Sequence, residues 1–155
     1  MATTWIWIIV IAIAVWCLIW RGAKGLKYNL ESLYGPIDDL LQLGYDTSFL
    51  VIEFPYSRKF VQLKKYINSD TDHGIEFMFP KAKWSIKYFD DIETFCITNK
   101  IPYSIKKNTY QKHTLDFLYI DFAKDTERAY DIVKRILVEI FGADEKARFF
   151  ALLER

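Results

Sequence analysis

Chemistry in this chain of 155 residues would have to come from few side chains. His73 and His113 are the only histidines, and Cys17 and Cys96 the only cysteines. They stand too far apart in sequence to suggest a zinc-type ligand set or a disulfide framework, and both histidines are expected in surface loops. Asp70 and Asp72 in the run NSDTDHG stand as at the start of a calcium loop. The twelfth position counted from Asp70 is Lys81, where such a loop needs a bidentate glutamate, so a hairpin turn is the simpler account.

No glycine-rich phosphate loop and no G-x-S-x-G elbow occurs. The paired acids Asp38-Asp39 and Asp90-Asp91 are expected near helix starts, as caps and dipole partners. No catalytic residue, metal ligand or cofactor is therefore expected, and the chain reads as a non-enzyme. An enzyme whose site lacks a familiar motif stays open as an alternative.

Surface recognition is the chemistry left. Aromatic residues make up 17% of the chain, and Trp84, Tyr88 and Phe89 lie beside Lys81, Lys83 and Lys87. Flat apolar side chains among cations suit a protein interface, with core packing under a solvated basic rim as the competing reading. Phe149 and Phe150 in the tail are a second candidate. With a net charge of +1 and acids interspersed throughout, nucleic acid is not expected as a partner.

The elements that must position these residues follow from periodicity. Leu30, Leu33, Tyr34, Ile37, Leu40 and Leu41 fall on one helical face interrupted by Gly35-Pro36, which predicts a kinked or split helix ending near Gly44. SFLVIEF, KFVQLKKY and GIEFMF read as a three-stranded antiparallel meander. FDDIETFCITNK reads as a helix, and YSIKK and LDFLYIDF as two more strands joined by a polar loop. DTERAYDIVKRILVEIFG holds helical spacing from Ala129 to Phe141, with Asp125 or Thr126 to cap it and Gly142 to close it. The tail ADEKARFFALLER reads as a further short helix.

The opening stretch WIWIIVIAIAVWCLIW precedes all of this. Met1 to Trp20 carries no charged side chain, and Trp5 to Trp20 as a helix would span about 24 Å, near the apolar thickness of a bilayer. Trp5, Trp7, Trp16 and Trp20 sit at its two ends, where indoles favour the headgroup region. MATT lacks the basic start of a cleaved signal, so an anchor over residues 1–21 is the expectation. Arg21, Lys24 and Lys27 follow it, which places the N-terminus outside and the rest in the cytoplasm.

The expected fold class is thus α+β: an N-terminal transmembrane helix, then an α-β-β-β-α-β-β-α domain with one antiparallel sheet packed against helices. Residues 22–44 form a juxtamembrane helical segment and 45–155 a cytoplasmic domain. This order, the second strand SRKFVQLKKY and the passage DFAKDTERAYDIVKRILVEIFG resemble the type III secretion chaperone-like fold, including small bacterial TY-Chap and YbjN-like domains. The resemblance implies a non-enzymatic, often dimeric protein binder that stabilises a partner. The expectation is a single-pass inner-membrane protein that meets the bilayer through its N-terminal helix. It would bind a protein partner at the membrane as an accessory or assembly factor, including of a secretion apparatus. The alternative job is an immunity protein that neutralises a toxin.

Overall fold

A computed structural model of the chain describes residues 26–110 and 113–154. The elements run β1 (Leu26–Tyr28), a 3-10 turn (Glu31–Leu33), α1 (Tyr34–Leu43), β2 (Phe49–Glu53), β3 (Phe60–Ile67) and β4 (His73–Pro80). There follow α2 (Ile86–Thr98), β5 (Ser104–Tyr110), β6 (His113–Ala123), α3 (Thr126–Arg135) with a π turn over Ile136–Ile140, and β7 (Phe149–Glu154). One antiparallel sheet holds all seven strands in the order β1-β7-β2-β3-β4-β6-β5.

Alternation decides which side chains enter the core. Leu50 and Ile52 of β2, Val61 and Leu63 of β3, Phe77 and Phe79 of β4, and Leu118, Ile120 and Phe122 of β6 are buried. They share one hydrophobic cluster with Ile37 and Leu40 of α1, Phe89, Ile92 and Cys96 of α2, and Ala129, Val133, Ile136 and Leu137 of the last helix. The opposite sheet face carries the half-buried Phe49, Val51, Lys64, Glu76, Met78 and Phe117. Lys65 occupies a core-facing position, and its ammonium donates to the Leu41 carbonyl at the end of α1. The sheet is thereby tied to a free helix terminus.

Local chemistry sets the boundaries. The Arg128 N–H donates to Asp125 Oδ1 at 2.9 Å, capping α3, and Gly142 at φ +73° closes the far end. A β-bulge interrupts the β4–β6 pairing between Ile75 and Glu76. A Cβ at Gly74 would come within 2.5 Å of the Ala123 carbonyl oxygen, so only glycine lets the two backbones meet there.

The expected fold is corrected in two respects. The tail expected as a helix is β7, hydrogen-bonded between β1 and β2, and β1 itself lies within residues 22–44, which were expected to be helical, so the sheet has seven strands where five were expected. Ala151 pairs with both Leu26 and Ile52 in a period-two pattern, and the tail's apolar residues suit that pattern as well as a helical one. The expected transmembrane helix is the second correction, and with it the single-pass inner-membrane location with the N-terminus out. Among the described residues no helix is long and apolar enough to cross a membrane. Residues 1–21, on which that expectation rested, lie outside the described residues, as do the interfacial Trp5, Trp7, Trp16, Trp20, Arg21 and Lys24.

Candidate recognition surfaces

One end of the domain gathers aromatic side chains from six segments. Phe54 leaves β2, Phe60 opens β3, Trp84 sits in the β4–α2 loop, Tyr88 lies in the first turn of α2, Phe141 follows the π turn, and Phe149 opens β7. Phe141 is the hub. Its ring stacks on Tyr88 with centroids 4.5 Å apart and planes 9° apart, and lies 5.1 Å from Phe54 and 6.0 Å from Phe79. Trp84 closes the cluster, 5.2 Å from Phe60 and 5.8 Å edge-on to Phe79. Such tilted and offset contacts contribute about 0.5–1.5 kcal/mol each beyond the area they bury.

The loop that carries Trp84 is held by Ser85. Its buried hydroxyl donates to the Pro80 carbonyl and accepts the Ala82 N–H at 2.9 Å. The same loop carries Lys83, which is exposed, and leads into Lys87, also exposed. The Lys59 ammonium lies 4.9 Å from the centroid of the Tyr88 ring. Lys81 bridges to Asp90 at 3.1 Å. Among the described residues, the only other ion pair joins Arg135 to Glu139, so Arg58, Lys59, Lys83 and Lys87 form no salt bridge there.

The residues singled out from sequence divide by burial. Trp84, Tyr88 and Phe150 are half-buried at the surface, whereas Phe89 and Phe149 are buried in the core. Phe150 lies opposite Glu53 and Lys27 on the outer sheet face. Phe54, Phe60 and Phe141 complete the cluster and were not legible as members of it, because they are remote in sequence and meet only when β2, β3 and the π turn converge. Asp90 and Asp91 lie within α2, past its first turn, and His73 is the first residue of β4.

A second feature lies on the outer face of β3, β4, β6 and β5, a groove of about 650 Å³ lined by Lys64, Tyr66, Asp72, Glu76, Tyr103, Lys106, Tyr119 and Asp121. The register aligns Lys64 with Glu76 and Glu76 with Asp121, a row of charges across three strands. The Tyr66 hydroxyl donates to Asp121 Oδ1 at 2.9 Å, and the same oxygen accepts the Ala123 N–H at 2.8 Å. Burial, that hydrogen bond and the nearby carboxylates push Tyr66 up to about 12. Burial raises Glu76, with Asp121 adding to the effect while Lys64 and Lys106 oppose it. Burial raises Tyr119, and a hydrogen bond to Glu93 raises Tyr103. Sequence reasoning missed this groove, since each strand contributes one or two ordinary polar residues to it.

Among the described residues no three histidine, cysteine, aspartate or glutamate side chains are grouped to hold a metal ion. The groove is a polar, charge-compensated trough, while the aromatic end offers desolvatable rings rimmed by cations. The fold is an α+β domain with one seven-stranded antiparallel sheet and its helices on one face. No family model, curated protein or solved structure matches the chain.

Proposed function

We propose that this domain is a non-enzymatic protein-binding module whose aromatic end holds a partner. The observation that carries the reading is the pairing of half-buried Trp84 and Tyr88 with cations that form no salt bridge among the described residues, Lys59, Lys83 and Lys87. Aromatic side chains with a fixed geometry lose little entropy on contact, and cations at their rim select an acidic surface. A stabilising or accessory role of the chaperone-like kind belongs to the same proposal. Between β1 and β7 the elements run α-β-β-β-α-β-β-α, the order on which that resemblance rests.

The test is crosslinking of the full chain in its native cells, with Lys83→Glu/Lys87→Glu and Trp84→Ser compared against the groove variant Asp121→Asn/Lys64→Glu. Adducts lost on changing the aromatic end support the reading. Adducts lost only on changing the groove move recognition to the sheet face, and a folded chain that forms no adduct rejects protein binding.

A further inference from the structure

We infer that Tyr56, at the tip of the β2–β3 turn, is the anchor that this surface inserts into an apolar pocket of a partner protein, a pocket rimmed by acidic side chains. The inference rests on the protein-binding reading above and adds to it the residue and the kind of pocket.

Tyr56 holds φ at +59°, a left-handed conformation that a bulky side chain disfavours and that glycine or asparagine adopts readily. Its side chain is fully exposed, at 106% of the reference area, and among the described residues it makes no hydrogen bond and no aromatic contact. The fold therefore bears the cost of a tyrosine here and gains no contact from it. Three other non-glycine residues among the described ones have positive φ, and at all four the backbone calls for it. At Tyr56 the Ser57 N–H donates to the Phe54 carbonyl at 3.3 Å across a turn led by Pro55, so it is the bulky side chain and not the φ that lacks a structural reason. Lys100 follows the end of α2, Ala123 sits at the β4–β6 bulge, and the Thr47 N–H donates to the Lys65 carbonyl.

The turn presents its tip rigidly. Pro55 restricts the backbone before Tyr56, the Phe54 N–H donates to the Lys59 carbonyl at 3.0 Å, and the Lys59 N–H donates to Ser57 Oγ at 3.2 Å. Its base belongs to the aromatic end, because Phe54 packs on Phe141 and Lys59 sits over Tyr88. A preorganised, exposed tyrosine continuous with a half-buried aromatic surface is the form an interface anchor takes. Arg58 and Lys59 flank it without a carboxylate partner among the described residues, so the complementary pocket carries acids at its rim. A second copy fits less well, since the acids of its own groove stand beside Lys64 and Lys106, which repel Arg58 and Lys59.

The experiment places a benzophenone amino acid at position 56 of the full chain in its native cells, with position 83 on the aromatic end and position 70 as an exposed control. A discrete adduct to another protein at 56, weakened by Arg58→Glu/Lys59→Glu, is the expected result. The captured protein, once purified, should bind Tyr56→Gly about tenfold or more weakly, the loss typical of an anchor residue, and Tyr56→Phe nearly as well as wild type. Tyr56→Gly should also melt higher than wild type, because the strain is relieved. Adducts at 83 but not at 56 overturn the anchor and leave the binding surface standing. No adduct at either site overturns both. An adduct of the chain with itself, or a Tyr56→Gly variant that melts lower, overturns the inference directly.

Discussion

The rings of Tyr88 and Phe141 lie parallel, 4.5 Å apart, although one residue stands in the first turn of α2 and the other follows the π turn 53 positions later. This contact fixes the start of α2 against the end of the last helix. Tyr88→Ala should destabilise the domain by about 2 kcal/mol, below the loss for a fully buried ring because Tyr88 is half-exposed. Lys87→Glu on the neighbouring position should change stability by about 0.5 kcal/mol or less. Urea unfolding of both variants separates the ring that packs from the cation that is free to bind.

Glu76 predicts a pH-dependent mutant effect. Its folded-state pKa is raised from 4.5, chiefly by burial, so its favourable contribution is present below 4.5 and is lost as pH rises through the folded value. Glu76→Gln mimics the protonated carboxyl. It should stabilise the domain near neutral pH and leave stability almost unchanged well below pH 4.5. Chemical denaturation at the two pH values checks this, and an equal effect at both would show that burial does not govern the carboxyl.

Cys96 is buried in α2, and burial pushes its thiol up to about 11, with Glu93 adding to the shift. The reactive thiolate is scarce at neutral pH and the sulfur is inaccessible. Alkylation of Cys96, followed by peptide mapping, should be slow in the native chain and fast in denaturant. Equal rates would mean that α2 opens readily.

Ala151 lies where β7 is hydrogen-bonded on both sides, opposite Leu26 on β1 and Ile52 on β2. Ala151→Pro removes a backbone donor from the sheet interior and should cost about 2 kcal/mol or more. A chain whose tail were a peripheral helix would lose much less, so the unfolding midpoint tests the place of β7 in the sheet.

Much of this architecture was legible in local pattern. The alternation of Val61 and Leu63 with Gln62 and Lys64 located β3 and its core face, and the spacing from Ala129 to Leu137 located the buried side of the last helix. Asp125 was legible as one of two cap candidates, beside Thr126, because a side-chain acceptor before an apolar-periodic run satisfies the first free N–H groups, and the structure selects Asp125. The candidate sites were legible only in part. Lys83, Trp84 and Tyr88 are close in sequence and therefore visible as a cluster, while Tyr56 drew no notice within a turn because its φ is a property of the folded backbone.

The sequence by itself determined which residues are apolar, how they repeat and where the chain must turn, because side-chain hydration and turn chemistry act within a few residues. Only the tertiary structure decided that the tail is a strand. Phe149, Phe150, Leu152 and Leu153 can line one side of a helix, and Phe149, Ala151 and Leu153 one side of a strand, and the choice fell to the backbone groups of β1 and β2, which β7 pairs on both edges. The same convergence gathered Phe54, Phe60, Trp84, Tyr88 and Phe141 at one end and aligned Lys64, Glu76 and Asp121 across three strands, since such contacts exist only once segments distant in sequence share a sheet.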